Sequence, residues 1–269
     1  MHLQHFGLKN NPLGKEGKTT VDEEQYQKLK PKLDNLLVTR GVGIITGESG
    51  VGKTRGVNHW LKTVNPHTCK VIYQPDTAFG PFCIYRQLAE KLGLELASRY
   101  STLWRNIKEE LSHCYHEKKI TPIWVLDEAQ QLPPRFLADL PLFLNHNGDT
   151  EDPVVVLLIG SPRFLHTLQK QVYEPLVSRT QFHFAWESIE SVDRFKKLVH
   201  SAFELAGAKT TLLSETGVQM IYSATKGRLR YANRIITHCL QEAASQNLNH
   251  IPDDIIKKVI EELRSITLN

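Results

Sequence analysis

The sequence predicts an α/β protein in which a five-stranded parallel sheet is followed by an all-helical C-terminal domain. Short apolar segments of strand type alternate with helical segments in the earlier part of the chain, which is typical of a parallel sheet. After Ser188 the strand signals stop and four helical stretches follow. The predicted strands are GVGIIT, CKVIYQ, TPIWVLDEAQQL, PVVVLLIG and TQFHFAW.

These signals predict three segments: an N-terminal segment and helix over 1–40, an α/β domain over 41–187 and a helical domain over 188–269. Prolines and glycines interrupt residues 1–22, which we expect to be irregular. Ser101 is expected to be the N-cap of its helix. The expected helices span 23–39, 53–64, 81–93, 101–119, 133–145, 190–206, 214–224, 228–246 and 252–265.

Composition excludes few classes of protein. The 269 residues are 41% hydrophobic and carry a net charge of +4, from 33 basic and 29 acidic residues. This mild excess permits contact with nucleic acid without arguing for it. The longest apolar run, 154–159, is too short to span a bilayer, and the N-terminus has no apolar signal segment. We therefore expect a cytoplasmic protein with no membrane partner.

The loop after the first predicted strand matches the phosphate-binding pattern GxxxxGK[ST] and opens a predicted helix. Its glycines let successive N–H groups point at an anion, and the helix N-terminus adds partial positive charge. Lys53 is expected to reach the β- and γ-phosphates of ATP, and the Thr54 hydroxyl to bind Mg²⁺. The loop residues are Gly47, Glu48, Ser49, Gly50, Val51, Gly52, Lys53 and Thr54.

Two acidic residues, Asp127 and Glu128, directly follow the apolar part of the third strand. Asp127 is expected to bind Mg²⁺ through water, and Glu128 to orient and polarise the attacking water. An acid pair in this place favours ATP hydrolysis over nucleotide holding alone. Gln130 is a further candidate to face the γ-phosphate or a neighbouring strand of nucleic acid, and the sequence leaves open whether it has either role.

Two further candidates flank the last strands. Ser161 ends the fourth strand, where it can bond the γ-phosphate or the attacking water. It also forms a good N-cap and N1 pair with Pro162, and both roles can hold together. Arg179 precedes the fifth strand, where a guanidinium can reach a phosphate on an adjacent subunit. The alternative for Arg179 is a surface salt bridge.

The helical domain supplies a third candidate group in the stretch ATKGRLRYANRI. Arg230 can fold back onto the γ-phosphate of its own subunit. Arg228 and Arg234 are either substitutes for it or simple surface charges.

Several phrases together resemble one family. HFGLKNNPL, TGESGVGKT, LDEAQQL, LLIGSPRFLHTL and KGRLRYANRI are similar to the ExeA-like AAA+ ATPases. That group includes the transposition regulators TnsC and TniB and is related to MuB. The resemblance implies an AAA+ P-loop NTPase fold, an ATP- and Mg²⁺-dependent ATPase and a C-terminal helical lid.

The resemblance also implies residue roles. Ser161 corresponds to sensor 1, Arg179 to the arginine finger and Arg230 to sensor 2. Leu229 stands where proline is usual in the lid phrase, so the choice of sensor 2 among the three lid arginines stays open. The N-terminal residues Phe6, Leu8 and Pro12 match a stretch that packs near adenine in such proteins.

The resemblance implies a regulator of transposition whose ATP-driven oligomer captures duplex DNA and recruits a transposase. The partners would be DNA, further copies in a ring or helical filament, and a transposase. Whether a target-selection protein is also needed stays open. The alternatives are a secretion-type ExeA-like ATPase, whose relatives carry a transmembrane segment not found in this sequence, and a helicase loader.

DNA contacts are expected near the loops after the second strand and before the third. Residues 75–119 hold seven basic and six acidic residues, so no basic stripe marks the path. Arg99, Ser101 and Arg105 are the candidate DNA-binding residues. Trp104 is expected to belong to the core.

Overall fold

The computed structural model describes residues 2–15, 21–75, 77–146 and 152–267. By their internal contacts these residues form two compact units. The sheet unit comprises Glu24–Gly47 and Val57–Trp186. The lid unit comprises Met1–Glu23, Glu48–Gly56 and Glu187–Asn269. The division at residues 40 and 187 stays a prediction.

The described residues of the sheet unit form a five-stranded parallel sheet in the order β2-β3-β4-β1-β5. All five predicted strands are therefore confirmed. Every residue of β4 is buried, as a strand covered on both faces requires. The strands are β1 (Gly41–Thr46), β2 (Cys69–Gln74), β3 (Thr121–Leu126), β4 (Val155–Gly160) and β5 (Thr180–Ala185).

The helices follow the sequence prediction over most of the chain. The expected irregular N-terminus instead contains one helical turn, α1, and two short helices, α7 and α8, lie between β4 and β5. The helices are α1 (His2–His5), α2 (Glu23–Thr39), α3 (Lys53–Leu61), α4 (Pro81–Leu92), α5 (Tyr100–His116), α6 (Pro134–Leu144), α7 (Arg163–Leu168), α8 (Glu174–Ser178), α9 (Val192–Ala206), α10 (Glu215–Thr225), α11 (Leu229–Ser245) and α12 (Asp253–Thr267).

The core of the sheet unit brings α4, α5 and α6 together with strands β1 to β4. Its aromatic centre is Tyr85, whose ring contacts Trp124, Phe136 and Phe143 at centroid distances of 6.0, 5.3 and 4.9 Å. Because all the strand pairs are parallel, the carboxyl ends of the strands share one edge of the sheet.

That carboxyl edge positions the candidate site. Thr46 at the end of β1 pairs with Gly160 at the end of β4. The Gly47 N–H then donates to the Gly160 carbonyl at 3.2 Å, and the Asp127 N–H donates to the Gln74 carbonyl at 3.1 Å. Ligands of open parallel sheets bind outside this edge.

The lid unit has its own core, built from α9 to α12 and from the N-terminal segment. Leu8 and Leu13 are buried in it, at 5% and 2% exposure. The Lys9 N–H donates to the Ala206 carbonyl at 2.8 Å, and the Asn11 amide donates to the Thr237 hydroxyl at 2.5 Å. The N-terminal segment is therefore an integral part of the lid unit.

Among the helices that the structure describes, none has both the length and the apolar character needed to cross a membrane.

Candidate functional site

The phosphate loop has the backbone that its sequence predicts. Gly50 and Gly52 take the left-handed region, with φ of 82° and 119°. Helix α3 begins at Lys53, so its positive end adjoins the loop. The Lys53 ammonium donates to the Glu48 carbonyl at 2.9 Å. Thr54 lies in the first turn of α3 and is half-buried. The loop and helix end have the features of an anion-binding site.

Arg230 contacts this loop from the lid helix α11. Its guanidinium donates to the Ser49 hydroxyl at 2.8 Å, and its backbone N–H donates to the Gly50 carbonyl at 3.1 Å. A Cβ at Gly50 would lie 2.5 Å from the Arg230 Cβ, so only glycine permits this approach. Of the three arginines that the sequence left open, Arg230 is the one found at the loop.

Arg55, which sequence reasoning missed, joins α3 to the N-terminal segment. Its guanidinium donates to the carbonyls of Leu13 and Gly14 at 2.9 and 2.8 Å. Burial lowers the pKa of this guanidinium below its ordinary value. Its partners are backbone carbonyls distant in the chain, so no residue type in the sequence marks these contacts. Arg55 therefore ties the residue after Thr54 to the segment that completes the lid core.

In the sheet unit, the Asp127 carboxylate is held by two donors. The Tyr73 hydroxyl donates to Oδ2 at 2.5 Å, and the Glu128 N–H donates to Oδ1 at 2.9 Å. The Thr77 hydroxyl donates to the carbonyls of Asp127 and Glu128, both at 3.0 Å. Tyr73 and Thr77 were not predicted from the sequence. The turn after β3 is thus fixed on both sides.

The donor chemistry fits Mg²⁺. The Thr54 hydroxyl and the Asp127 carboxylate are oxygen ligands of the kind this ion binds. Asp127 is only 8% exposed, so its carboxylate is largely removed from water. Within the described residues, no group of three or more His, Cys, Asp or Glu side chains is placed to hold a metal ion. Mg²⁺ ordinarily takes one or two protein ligands and completes its shell with phosphate and water.

Glu128 is positioned by an unusual backbone and by Gln130. Its φ of 55° is left-handed, which is uncommon for a residue other than glycine. The Gln130 amide donates to Glu128 Oε2 at 2.6 Å, and its carbonyl oxygen accepts from the Ser161 N–H at 2.9 Å. Gln130 therefore bridges the acidic turn to the end of β4. Its predicted contacts with phosphate or nucleic acid stay predictions.

The predicted capping role of Ser161 is wrong. Helix α7 begins at Arg163 with Pro162 at the cap position, and no side chain caps it. Its first turn is closed instead by the Phe164 N–H, which donates to the Ser161 carbonyl at 3.0 Å. The Ser161 hydroxyl is buried and makes no hydrogen bond within the described residues. It is a polar atom at the carboxyl edge with no hydrogen-bond partner in the described part of the chain.

Arg179 lies at the opposite, amino edge of the sheet. The Val42 N–H, near the start of β1, donates to the Arg179 carbonyl at 3.3 Å. Gly47, where the phosphate loop begins, follows the other end of β1. Since β1 has six residues, the start of the strand and Gly47 are roughly 20 Å apart. The side chain is 18% exposed and pairs with Asp152 at 3.6 Å. This position is too far from Gly47 for an arginine side chain to reach.

The candidate DNA-binding residues lie at the start of α5. The predicted N-cap at Ser101 is wrong, because α5 begins at Tyr100 with the exposed Arg99 at the cap, and Ser101 is an exposed residue of the first turn. Arg105 is exposed and 3.8 Å from Glu109. Trp104 packs on Tyr85 and Phe143, which confirms its place in the core.

Comparison with known proteins identifies the fold. Residues 36–168 match the model of the AAA domain. Cdc6p from Pyrobaculum aerophilum superposes with a TM-score of 0.75 at 19% identity, covering 93% of this chain and 70% of that one. The chain has the AAA+ P-loop NTPase fold. The match to the AAA domain supports nucleotide hydrolysis, and the superposition on Cdc6p concerns the fold.

Two other solved structures share the AAA+ fold. ORC1 of Aeropyrum pernix, solved in complex with DNA, has a TM-score of 0.72 at 15% identity, covering 94% of this chain and 68% of that one. The RuvB Holliday junction branch migration motor of Thermotoga maritima has a TM-score of 0.59 at 18% identity, covering 91% and 72%. At these identities the likeness concerns the fold alone.

One curated protein matches the AAA+ chain along its length. General secretion pathway protein A of Aeromonas hydrophila is 25% identical and covers 99% of this chain. The match occupies 49% of that relative. The chain thus spans about half the length of this relative.

Proposed function

We propose that this protein is a Mg²⁺-dependent ATPase that assembles on duplex DNA and serves transposition. Lys53 binds the β- and γ-phosphates, while Thr54 and Asp127 hold Mg²⁺, which neutralises phosphate charge when bound. Glu128 orients the attacking water, and Gln130 holds its carboxylate in place. The unpartnered Ser161 hydroxyl supplies a further polar contact at the same sheet edge.

The observation that carries the proposal is the contact of Arg230 with the phosphate loop. Because Arg230 lies in the first turn of the lid helix α11, a change in the shape of residues 49 and 50 acts directly on the lid. A γ-phosphate offers Arg230 a stronger, charge-assisted partner than the Ser49 hydroxyl. The lid unit would therefore respond differently to ATP and to ADP, because only ATP offers Arg230 a γ-phosphate.

The position of Arg179 supports a site shared between copies. At the amino edge of its own sheet, it is available to the nucleotide of a neighbour and not to its own. The pair with Asp152 would be exchanged for a phosphate on assembly, since both partners are only partly buried. ATP would then lock each copy to the next, and repetition would align Arg99, Ser101 and Arg105 along one DNA path.

DNA as the partner is supported by two lines of argument. ORC1 of Aeropyrum pernix and Drosophila ORC, which share the fold, were solved bound to DNA. A few basic side chains in each copy are sufficient when many copies line up, because each phosphate contact adds to the total. The transposition role itself rests on the resemblance of the sequence phrases to the TnsC and TniB group.

A second candidate function, in secretion, is favoured by the match to General secretion pathway protein A over nearly the whole chain. In that case the same nucleotide cycle would act on a protein partner, and DNA binding would be absent.

The test is fluorescence anisotropy with random-sequence duplexes in the presence of a non-hydrolysable ATP analogue, ADP or no nucleotide. We expect cooperative, salt-sensitive binding with the analogue alone. The Glu128→Gln variant should bind ATP, lose turnover and stay on DNA in the presence of ATP. Lys53→Ala should bind neither ATP nor DNA and should also lose turnover. Equal, non-cooperative binding in all three nucleotide states would overturn the proposal. No binding in any state would favour the secretion function.

A further inference from the structure

The lid carries a cluster of cationic side chains away from the phosphate loop. Of the three arginines at the start of α11, only Arg230 is hydrogen-bonded to the loop in the described chain. Arg228 and Arg234 lie with Tyr231 of the same helix and Arg264 of α12. These four residues are called the lid arginine cluster.

The cluster has a defined geometry. The Arg228 guanidinium lies 4.7 Å from the centroid of the Tyr231 ring, and its Nε donates to the Thr225 carbonyl at 3.3 Å. Tyr231, Arg234 and Arg264 line one recess of about 70 Å³. Apolar side chains that include Ile235 and Ile260 complete the lining of the recess. Arg234 and Arg264 thus line a small concave surface, and Arg228 lies beside it against the Tyr231 ring.

The charges of the cluster are not balanced by acids. Within the described part of the chain, no carboxylate lies within 4.0 Å of the guanidinium of Arg228, Arg234 or Arg264. Other cations of the lid do have partners: Lys258 lies 2.8 Å from Glu242, and Lys257 lies 3.7 Å from Asp254. Arg234 and Arg264 line the same recess, so their charges repel each other unless an anion joins them.

We propose that the lid arginine cluster binds the phosphodiester backbone of nucleic acid. The planar fork of arginine matches phosphate oxygens in pairs. The recess is far smaller than the roughly 300 Å³ of sites that enclose a whole small ligand, and it suits a phosphate group that enters from a longer chain. Tyr231, 38% exposed, offers an aromatic edge to a sugar or base beside that phosphate.

This inference rests on the proposed function and adds a second contact surface to it. The first surface, at the start of α5, belongs to the sheet unit, whereas the cluster belongs to the lid unit. If both units hold the same nucleic acid, a change in the lid on hydrolysis would weaken binding directly.

The test compares Arg234→Ala/Arg264→Ala with the matched control Lys257→Ala/Lys258→Ala, which removes the same charge from the lid but from paired side chains. Binding to a random duplex and to a single strand is measured with an ATP analogue between low and moderate salt. We expect the arginine variant to bind more weakly and to lower the slope of log affinity against log salt by about 2 on the duplex, and the control to change it little. A similar fall of this slope on the single strand would show that the cluster contacts the phosphodiester backbone and not the duplex form.

Several outcomes would overturn the inference. If wild type binds DNA and the arginine variant has the same slope on both nucleic acids, the cluster is not a contact surface, while the proposed function survives. If the variant keeps its slope but loses self-association or binding to a polyglutamate probe, the cluster is a protein interface. If wild type binds no nucleic acid, both proposals fail. Should the double variant melt early, the single Arg264→Gln change at an exposed side chain serves instead, with an expected fall in slope of about 1.

Discussion

Glu128 owes its position to a left-handed backbone and to the amide of Gln130. The left-handed conformation turns the side chain away from the direction of β3, and the Gln130 amide then fixes the carboxylate at 2.6 Å. Because the carbonyl of the same amide accepts from the Ser161 N–H, this orientation of the amide is specified by both neighbours. A catalytic carboxylate displaced by about 1 Å can lose a hundredfold in rate.

We therefore expect Gln130→Ala to lower kcat for ATP hydrolysis by about tenfold to a hundredfold with little change in KM. The matched control is Gln131→Ala, since Gln131 is exposed and directly adjacent. Steady-state kinetics of the two variants against wild type provide the measurement. Equal kcat values in all three proteins would remove Gln130 from its positioning role.

At the same scale, some residues of the site were predictable and others were not. Lys53, Thr54, Asp127 and Glu128 follow local patterns that a single sequence displays. Tyr73 acts through a hydrogen bond to a residue far along the chain, and no local pattern marks it. Such partners come together only when the sheet forms, because β2 and β3 become neighbours at that point.

At the scale of elements, the phosphate loop and helix α11 are joined where Gly50 meets Arg230. Gly50→Ala should lower the free energy of unfolding for two reasons, the positive φ and the 2.5 Å approach to the Arg230 Cβ. Gly93 has a similar φ of 88° and no atom within 4 Å of an added Cβ. Gly93→Ala should thus lower the free energy of unfolding only through backbone strain, by about 1–2 kcal/mol. Gly50→Ala should lower it by about 1–3 kcal/mol more, because of the close approach.

Denaturant unfolding of the two alanine variants measures this difference. A double-mutant cycle with Arg230→Gly, which removes the opposing Cβ, should recover most of the additional cost at position 50. If Gly50→Ala and Gly93→Ala cost the same, α11 does not pack against the loop as described.

The elements also show why helix ends were harder to predict than strands. The central strands β1, β3 and β4 are mostly apolar because both of their faces are covered. The edge strands β2 and β5 are only partly buried, and all five strands were found. Ser101 and Ser161 have the residue type of a cap, yet α5 begins before Ser101 and α7 begins after Pro162. In both cases the residue type suggested a cap, but the helix begins at a different residue. Residue type alone therefore does not define the first turn of these helices.

At the scale of the whole molecule, the proposed shared site makes a prediction about mixtures. Arg179→Ala should keep ATP binding and lose hydrolysis, while Lys53→Ala should lose both. Mixing the two inactive proteins should restore part of the activity, because a Lys53→Ala copy can offer an intact Arg179 to the intact loop of an Arg179→Ala copy. ATPase rates across mixing ratios provide the measurement, with each variant mixed with itself as the control. Full activity of Arg179→Ala alone, together with no recovery in any mixture, would exclude a shared site.

The placement of Arg179 at the edge opposite Gly47 has a consequence for stoichiometry under the proposed shared site. A contact between two different surfaces either closes into a ring or continues as an open chain. In a ring every nucleotide receives an arginine, so all sites are equivalent. In an open chain the copy at one terminus has a loop that no neighbour serves, and this copy alone would keep its ATP. Such an unhydrolysed end would stay able to accept a further copy, and the turnover per copy would rise as the chain lengthened.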